Sequence, residues 1–109
     1  MKDHRLIDER SLALHRRVAE KLRGNPALVG FAQENIHRWL ATCAPGVRPA
    51  LLEWQTVLAG PFDAVLALLT AADERAARLR QSSPFAGCLG AEERNAILME
   101  YHRRESHAA

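Results

Sequence analysis

The stretch Arg78-Leu79-Arg80-Gln81-Ser82-Ser83-Pro84-Phe85-Ala86-Gly87-Cys88-Leu89-Gly90-Ala91-Glu92-Glu93-Arg94 interrupts an otherwise helical pattern. Upstream of it, apolar residues recur at helical spacing almost without a break. Within it, a short apolar loop (Phe85, Ala86, Cys88, Leu89) lies between Pro84 and Gly90. The following helix opens with Glu92, Glu93 and Arg94. Loops are usually polar because their backbone and side chains face water. An apolar loop therefore either folds back on its own domain or docks on another molecule, and the residues alone leave both open.

The rest of the chain sets the frame for that choice. Its 109 residues suit one domain with a single modest core. Hydrophobic residues make up 48% and charged residues 26%, the balance of a globular chain and not of a disordered one. Ala and Leu dominate over β-branched and aromatic residues, which favours helix over sheet. The net charge is +2, from 15 Lys and Arg against 13 Asp and Glu. The basic residues are dispersed, with small concentrations at Arg16-Arg17, Arg78/Arg80 and Arg103-Arg104. They allow a weak electrostatic footprint on DNA and do not indicate a dedicated DNA reader. Cys43 and Cys88 read as reduced thiols of a cytoplasmic protein. The start Met1-Lys2-Asp3-His4-Arg5 is too polar for a signal peptide. The longest apolar run, Ala64 to Leu69, is too short to cross a bilayer, so no membrane role is expected.

Periodicity predicts an all-α fold, a compact orthogonal array of five or six helices without a sheet. The first helix is expected over about residues 5–23, with Ile7, Leu12, Leu14, Val18, Ala19 and Leu22 on one arc and a left-handed cap at Gly24. Asn25-Pro26 reads as N-cap and first helical residue of a second helix reaching about Thr42. Its buried arc is Leu28, Ala32, Ile36, Trp39, Leu40 and Cys43, with Phe31 off the arc. A third helix, about 49–59, is anchored by Leu51, Trp54 and Leu58, and a fourth, about 61–71, by Phe62, Val65, Leu66 and Leu69. A short polar helix over about 72–81 has its acidic residues first and its basic residues last, which suits the helix dipole. The last helix, about 91–104, buries Ile97, Leu98 and Tyr101 before a tail expected to fray. Residues 1–71 thus read as the core helices, and 72–104 as a helix–loop–helix segment for docking a partner.

Motifs with chemistry of their own are scarce. Cys-x-x-Cys, His-x-x-x-His and His-Glu-x-x-His spacings are absent, so no metal site and no cofactor are expected. Ser82, Ser83 and Cys88 are nucleophile-capable, yet no nucleophile elbow or phosphate loop surrounds them. The break at Gly24-Asn25-Pro26 superficially suggests helix-turn-helix, but the helix after it starts Pro26-Ala27-Leu28-Val29-Gly30, with nothing able to read base edges. Arg10 and His15, spaced Arg-x4-His, resemble the catalytic signature of the HEPN helical ribonucleases. That resemblance would give Arg10 the phosphate charge and His15 the acid–base role. The motif lies in the first helix, whereas that family places it late, and Ser11 stands where the family has a more polar residue.

A second resemblance covers most of the chain. The block Leu79-Arg80-Gln81-Ser82-Ser83-Pro84-Phe85-Ala86-Gly87 is its distinctive part. With it come Arg10-Ser11-Leu12-Ala13-Leu14-His15, the break Lys21-Leu22-Arg23-x-Asn25-Pro26-Ala27-Leu28, and the spacing from Arg38-Trp39-Leu40 to Glu53-Trp54. Together these resemble small helical bacterial antitoxin-like proteins encoded beside a toxin or nucleotidyltransferase-like gene. The chain departs from that pattern at Gly90, where a better N-cap is expected, and at Asn95, where an aromatic is. The resemblance implies a non-enzymatic protein that binds and neutralises its partner. Its contact residues would be Arg78, Arg80, Gln81, Ser83, Pro84, Phe85, Leu89 and Arg94, with Phe85 as the apolar anchor and the arginines as a charged rim. The alternative for Phe85 and Leu89 is that they plug their own core. The alternatives for the chain are the HEPN-like ribonuclease and a helical structural module that self-associates into a homo-oligomer.

Overall fold

Six helices follow one another with no strand among the described residues: α1 His4–Gly24, α2 Leu28–Thr42, α3 Arg48–Ala59, α4 Phe62–Thr70, α5 Glu74–Arg80 and α6 Ala91–Ala108. This computed structural model describes residues 4–108, and side chains from 7 to 103. The polar start at Met1–Asp3 and the terminal Ala109, both read above, lie outside the described residues. The all-α expectation holds, with six helices and no sheet among the described residues.

The breaks between helices follow local chemistry. At the end of α1 the amide of Asn25 donates to the carbonyls of Lys21 and Leu22, and the chain then meets Pro26. Proline has no N–H and its ring clashes with the carbonyl one turn back, so the helix cannot continue. The left-handed cap expected at Gly24 does not form: Gly24 is the last helical residue, and among the described residues only Gly87 has a positive φ. Asn25 is not a side-chain cap either. Three bonds of i→i+3 type, from Leu28 to Asn25, Val29 to Pro26 and Gly30 to Ala27, wind a tight turn directly into α2. Asp73 does cap, its Oδ1 accepting the Ala76 amide at 2.8 Å, which moves the start of α5 from the expected 72 to Glu74. At the other end, α6 runs on to Ala108, past the expected fraying point.

α1 is the spine, packing on α4, α5 and α6, while α2 packs on α3, α3 on α4 and α4 on α5. Val18, Ala19 and Leu22 of α1 meet Ala32 and Ile36 of α2, Leu51, Trp54 and Leu58 of α3, and Val65, Leu68 and Leu69 of α4 in one cluster. Ile7, expected on the buried arc, is 48% exposed. Trp54 is the largest residue of the core and is fully buried. Its ring meets Phe85 edge to face, with centroids 6.0 Å apart and planes at 71°. That is a favoured geometry for an aromatic pair.

Ala76, Leu79 and Phe85 belong to the same cluster as Leu22 and Trp54. The helix–loop segment thus contributes side chains to the same core as the first four helices. Substituting Phe85 by Ala should lower stability by about 3–5 kcal/mol, the usual cost of emptying an aromatic core position. Urea unfolding followed by far-UV circular dichroism measures this. An unchanged midpoint would return Phe85 to the surface.

Candidate functional site

A loop inside a domain must still satisfy its backbone groups, because a buried N–H or C=O without a partner is costly. The 81–90 loop does so by borrowing side chains from the helices around it. From α3, the Trp54 indole N–H donates to the Leu79 carbonyl at 2.7 Å, just before the loop. Asn35 of α2, itself buried, donates to the Pro84 carbonyl at 2.8 Å, and the Arg38 guanidinium donates to its Oδ1. Lys21 of α1 donates to the Cys88 carbonyl at 3.0 Å. Within the loop, Ser83 Oγ accepts the Phe85 amide and the Phe85 carbonyl accepts the Cys88 amide. Gly87 turns the chain at φ 88°, where an L side chain is strained, and the Phe31 ring lies 3.6 Å from the place a Cβ would occupy. That gives Phe31, off the arc of its own helix, a role as cover for the turn.

Glu93 fastens α6. Its carboxylate accepts from Lys21 Nζ and Arg17 Nε, each at 2.9 Å, and reaches back to the Gly90 amide at 3.3 Å. The last contact is half of a capping box: Gly90 has no side chain to cap with, and Glu93 three residues on supplies the reciprocal bond. These donors hold the Glu93 carboxyl down to about 2, with Lys21 the largest cause, then Gly90, then Arg17. Neither Glu93 nor its α1 partners was singled out from sequence. The signal was present in the Gly90-x-x-Glu93 spacing, whereas the pairing with a helix seventy residues away was not readable.

Beside this clamp lies an open cavity of about 340 Å³ between α1, the loop and α6. Leu14, His15 and Val18 line it from α1, and Arg80, Gln81, Ser83, Phe85, Leu89 and Arg94 from the segment read above as partner-binding. Six of the eight expected contact residues thus converge on one site, but in different ways. Gln81 and Arg94 are exposed, and Ser83 and Leu89 are half-buried. Phe85, Pro84 and Arg80 are buried within the domain. Phe85 is held by Trp54, Pro84 by burial under Asn35, and Arg80 by two carbonyls at the end of α4, Leu68 at 3.1 Å and Ala71 at 2.7 Å. Arg78 is exposed and turned away to Glu53 of α3, at 3.2 Å. Such a surface pair contributes little on its own.

His15 is buried at the cavity wall, and its Nδ1 lies 2.7 Å from the Ser11 carbonyl, one turn back. A carbonyl can only accept, so Nδ1 carries the proton. Burial pushes the His15 pKa below its ordinary value, and the nearby Arg80 charge pushes the same way, against the bond to Ser11. Arg10, its partner in the Arg-x4-His spacing, is half-buried, engaged elsewhere and not among the residues lining this cavity. Burial raises the Cys88 thiol, which leaves it protonated and a poor nucleophile. Among the described residues no three His, Cys, Asp or Glu converge as a metal site, and no helix is long and apolar enough to cross a membrane.

Two groups therefore couple stability to pH with the same sign. The unfolded chain takes up a proton at His15 more readily than the folded one, so stability falls as the pH drops below about 6.5. The Glu93 contribution is complete above about 4.5 and is lost as the pH falls from there toward about 2. Urea midpoints measured from about pH 8 to about pH 3 should decline in both ranges. His15→Gln should flatten the upper decline and Glu93→Gln the lower; a curve unchanged by either substitution would contradict the assignment. No protein-family model matches this chain, and searches of curated proteins and of solved structures found none similar to it.

Proposed function

We propose that this chain is a cytoplasmic, non-enzymatic antitoxin-like protein that binds and restrains a partner protein encoded beside it. The partner would be a toxin or a nucleotidyltransferase-like enzyme. The reading rests on the resemblance carried by residues 79–87, and one structural observation supports it: residues from α1, the loop and α6 meet around a single open cavity. A surface of this kind suits recognition. Its floor, with Phe85 and Arg80, is fixed by the core, so little conformational freedom is lost when a partner docks. Its rim, Gln81 and Arg94, carries the exposed polar groups that steer an acidic partner surface. In this account Phe85 shapes the contact surface from beneath and Arg94 touches the partner.

Co-expression with the adjacent reading frame tests the proposal. Light scattering after size exclusion should show a hetero-complex in which the partner's toxicity or transferase activity is suppressed. The double substitution Gln81→Glu and Arg94→Glu should weaken the complex by about tenfold or more, by reversing charge at the rim, while the urea midpoint stays unchanged. A complex of unaltered affinity would remove this face from the interface. Self-association of the chain alone, with no hetero-complex, would favour the homo-oligomer instead.

A further inference from the structure

We propose that the cavity between α1, the loop and α6 is a binding site for a carboxylate carried on a short apolar stem. This inference stands independently of the partner reading, because it concerns what the cavity takes in the isolated chain. Arg80 is 4% exposed, and no carboxylate lies within ion-pair distance of it among the described residues. Buried charges are normally paired, since desolvation of an unpaired ion is expensive. The C-terminal carbonyls of α4 supply part of the compensation through Arg80 Nη1, equivalent to about half a negative charge. Asp73 and Asp8 add to it at longer range, and Arg16 opposes them. The Nε of Arg80 is buried and has no hydrogen-bond partner among the described residues.

A second guanidinium, Arg94, reaches the same cavity and makes no ion pair among the described residues. Among the described residues no acidic side chain lines the cavity. Ser83 and Gln81 add neutral donors, and Leu14, Val18 and Leu89 give the remaining wall its apolar character. His15, kept neutral by burial, adds no charge. That leaves one exposed guanidinium and one half-compensated buried one, which matches a singly charged carboxylate better than a doubly charged phosphate. The volume of about 340 Å³ lies at the small end of ligand pockets, room for an acidic side chain or a small organic acid.

The test is an NMR titration of the 15N-labelled full chain with three probes at matched ionic strength: sodium phenylacetate, N-acetylglutamate α-amide and inorganic phosphate. The expected result is saturable shifts centred on His15, Arg80, Ser83 and Arg94, with a Kd of about 1 mM for at least one carboxylate. Tighter binding of phenylacetate would identify a free organic acid as the natural occupant, and tighter binding of the blocked glutamate a protein side chain. Arg94→Gln should weaken binding roughly tenfold, the loss of one charge-assisted hydrogen bond. Because Arg94 is exposed, its urea midpoint should not move; Arg80→Gln is not needed and risks unfolding α4 from α5. Shifts no larger than those from sodium chloride, affinity unchanged in Arg94→Gln, or phosphate binding more tightly than both carboxylates would overturn the proposal.

Discussion

The fold depends on one constraint: the centre of the apolar 81–90 loop, Pro84 and Phe85, lies inside the domain, and the backbone around it must find partners. Trp54 fixes the approach to the loop and seats its aromatic anchor. Its indole ring fills the centre of the core, its N–H closes on the Leu79 carbonyl, and its edge receives Phe85. Asn35, Lys21 and Glu93 complete the set, so that α1, α2, α3 and α6 each send one side chain to the loop or its boundary. The loop is thereby more than a connection between α5 and α6. It is a piece against which the helices are registered, and its loss would uncover the edge of Trp54 that meets Phe85.

Much of the helical frame was legible because periodicity reports burial directly. Leu51, Trp54 and Leu58 at i, i+3 and i+7 define the buried stripe of α3, and Val18 with Leu22 does the same for α1. The destination of the loop was not legible. Phe85 between Pro84 and Gly87 has the same composition whether it plugs its own core or a partner's, and the deciding contact is with a residue thirty-one positions away. Charge was the other blind spot. Arg80 resembles Arg78 in sequence, both at the basic end of a short helix, yet one helical step of two residues puts Arg80 against the end of α4 and Arg78 against Glu53 in solvent. Gly24 misled for a different reason: a glycine after a helix suggests a left-handed cap, but Pro26 already ends the helix and no such cap is required.

The same arrangement shapes the candidate site. Because Phe85 and Arg80 are committed to the core, they set the floor of the cavity, and Gln81, Ser83, Leu89 and Arg94 are among the more accessible residues around it. A site built this way is preorganised, with its buried charge fixed before anything binds. The Lys21–Glu93 pair holds the far edge by fastening the first turn of α6 to α1. The residues of the candidate site thus also hold the fold, and substitutions at the rim are the ones able to separate the proposed binding from stability.

Native-state hydrogen exchange of the two tryptophan indoles reads the central constraint directly. The Trp54 indole N–H should exchange only when the whole domain unfolds, with an opening free energy equal to the denaturant value. The indole of Trp39, half-buried and without a hydrogen bond among the described residues, serves as the internal reference and should exchange much faster. Exchange of Trp54 at the rate of Trp39 would mean that the end of α5, and the loop that follows it, opens independently of the core, which would contradict the account.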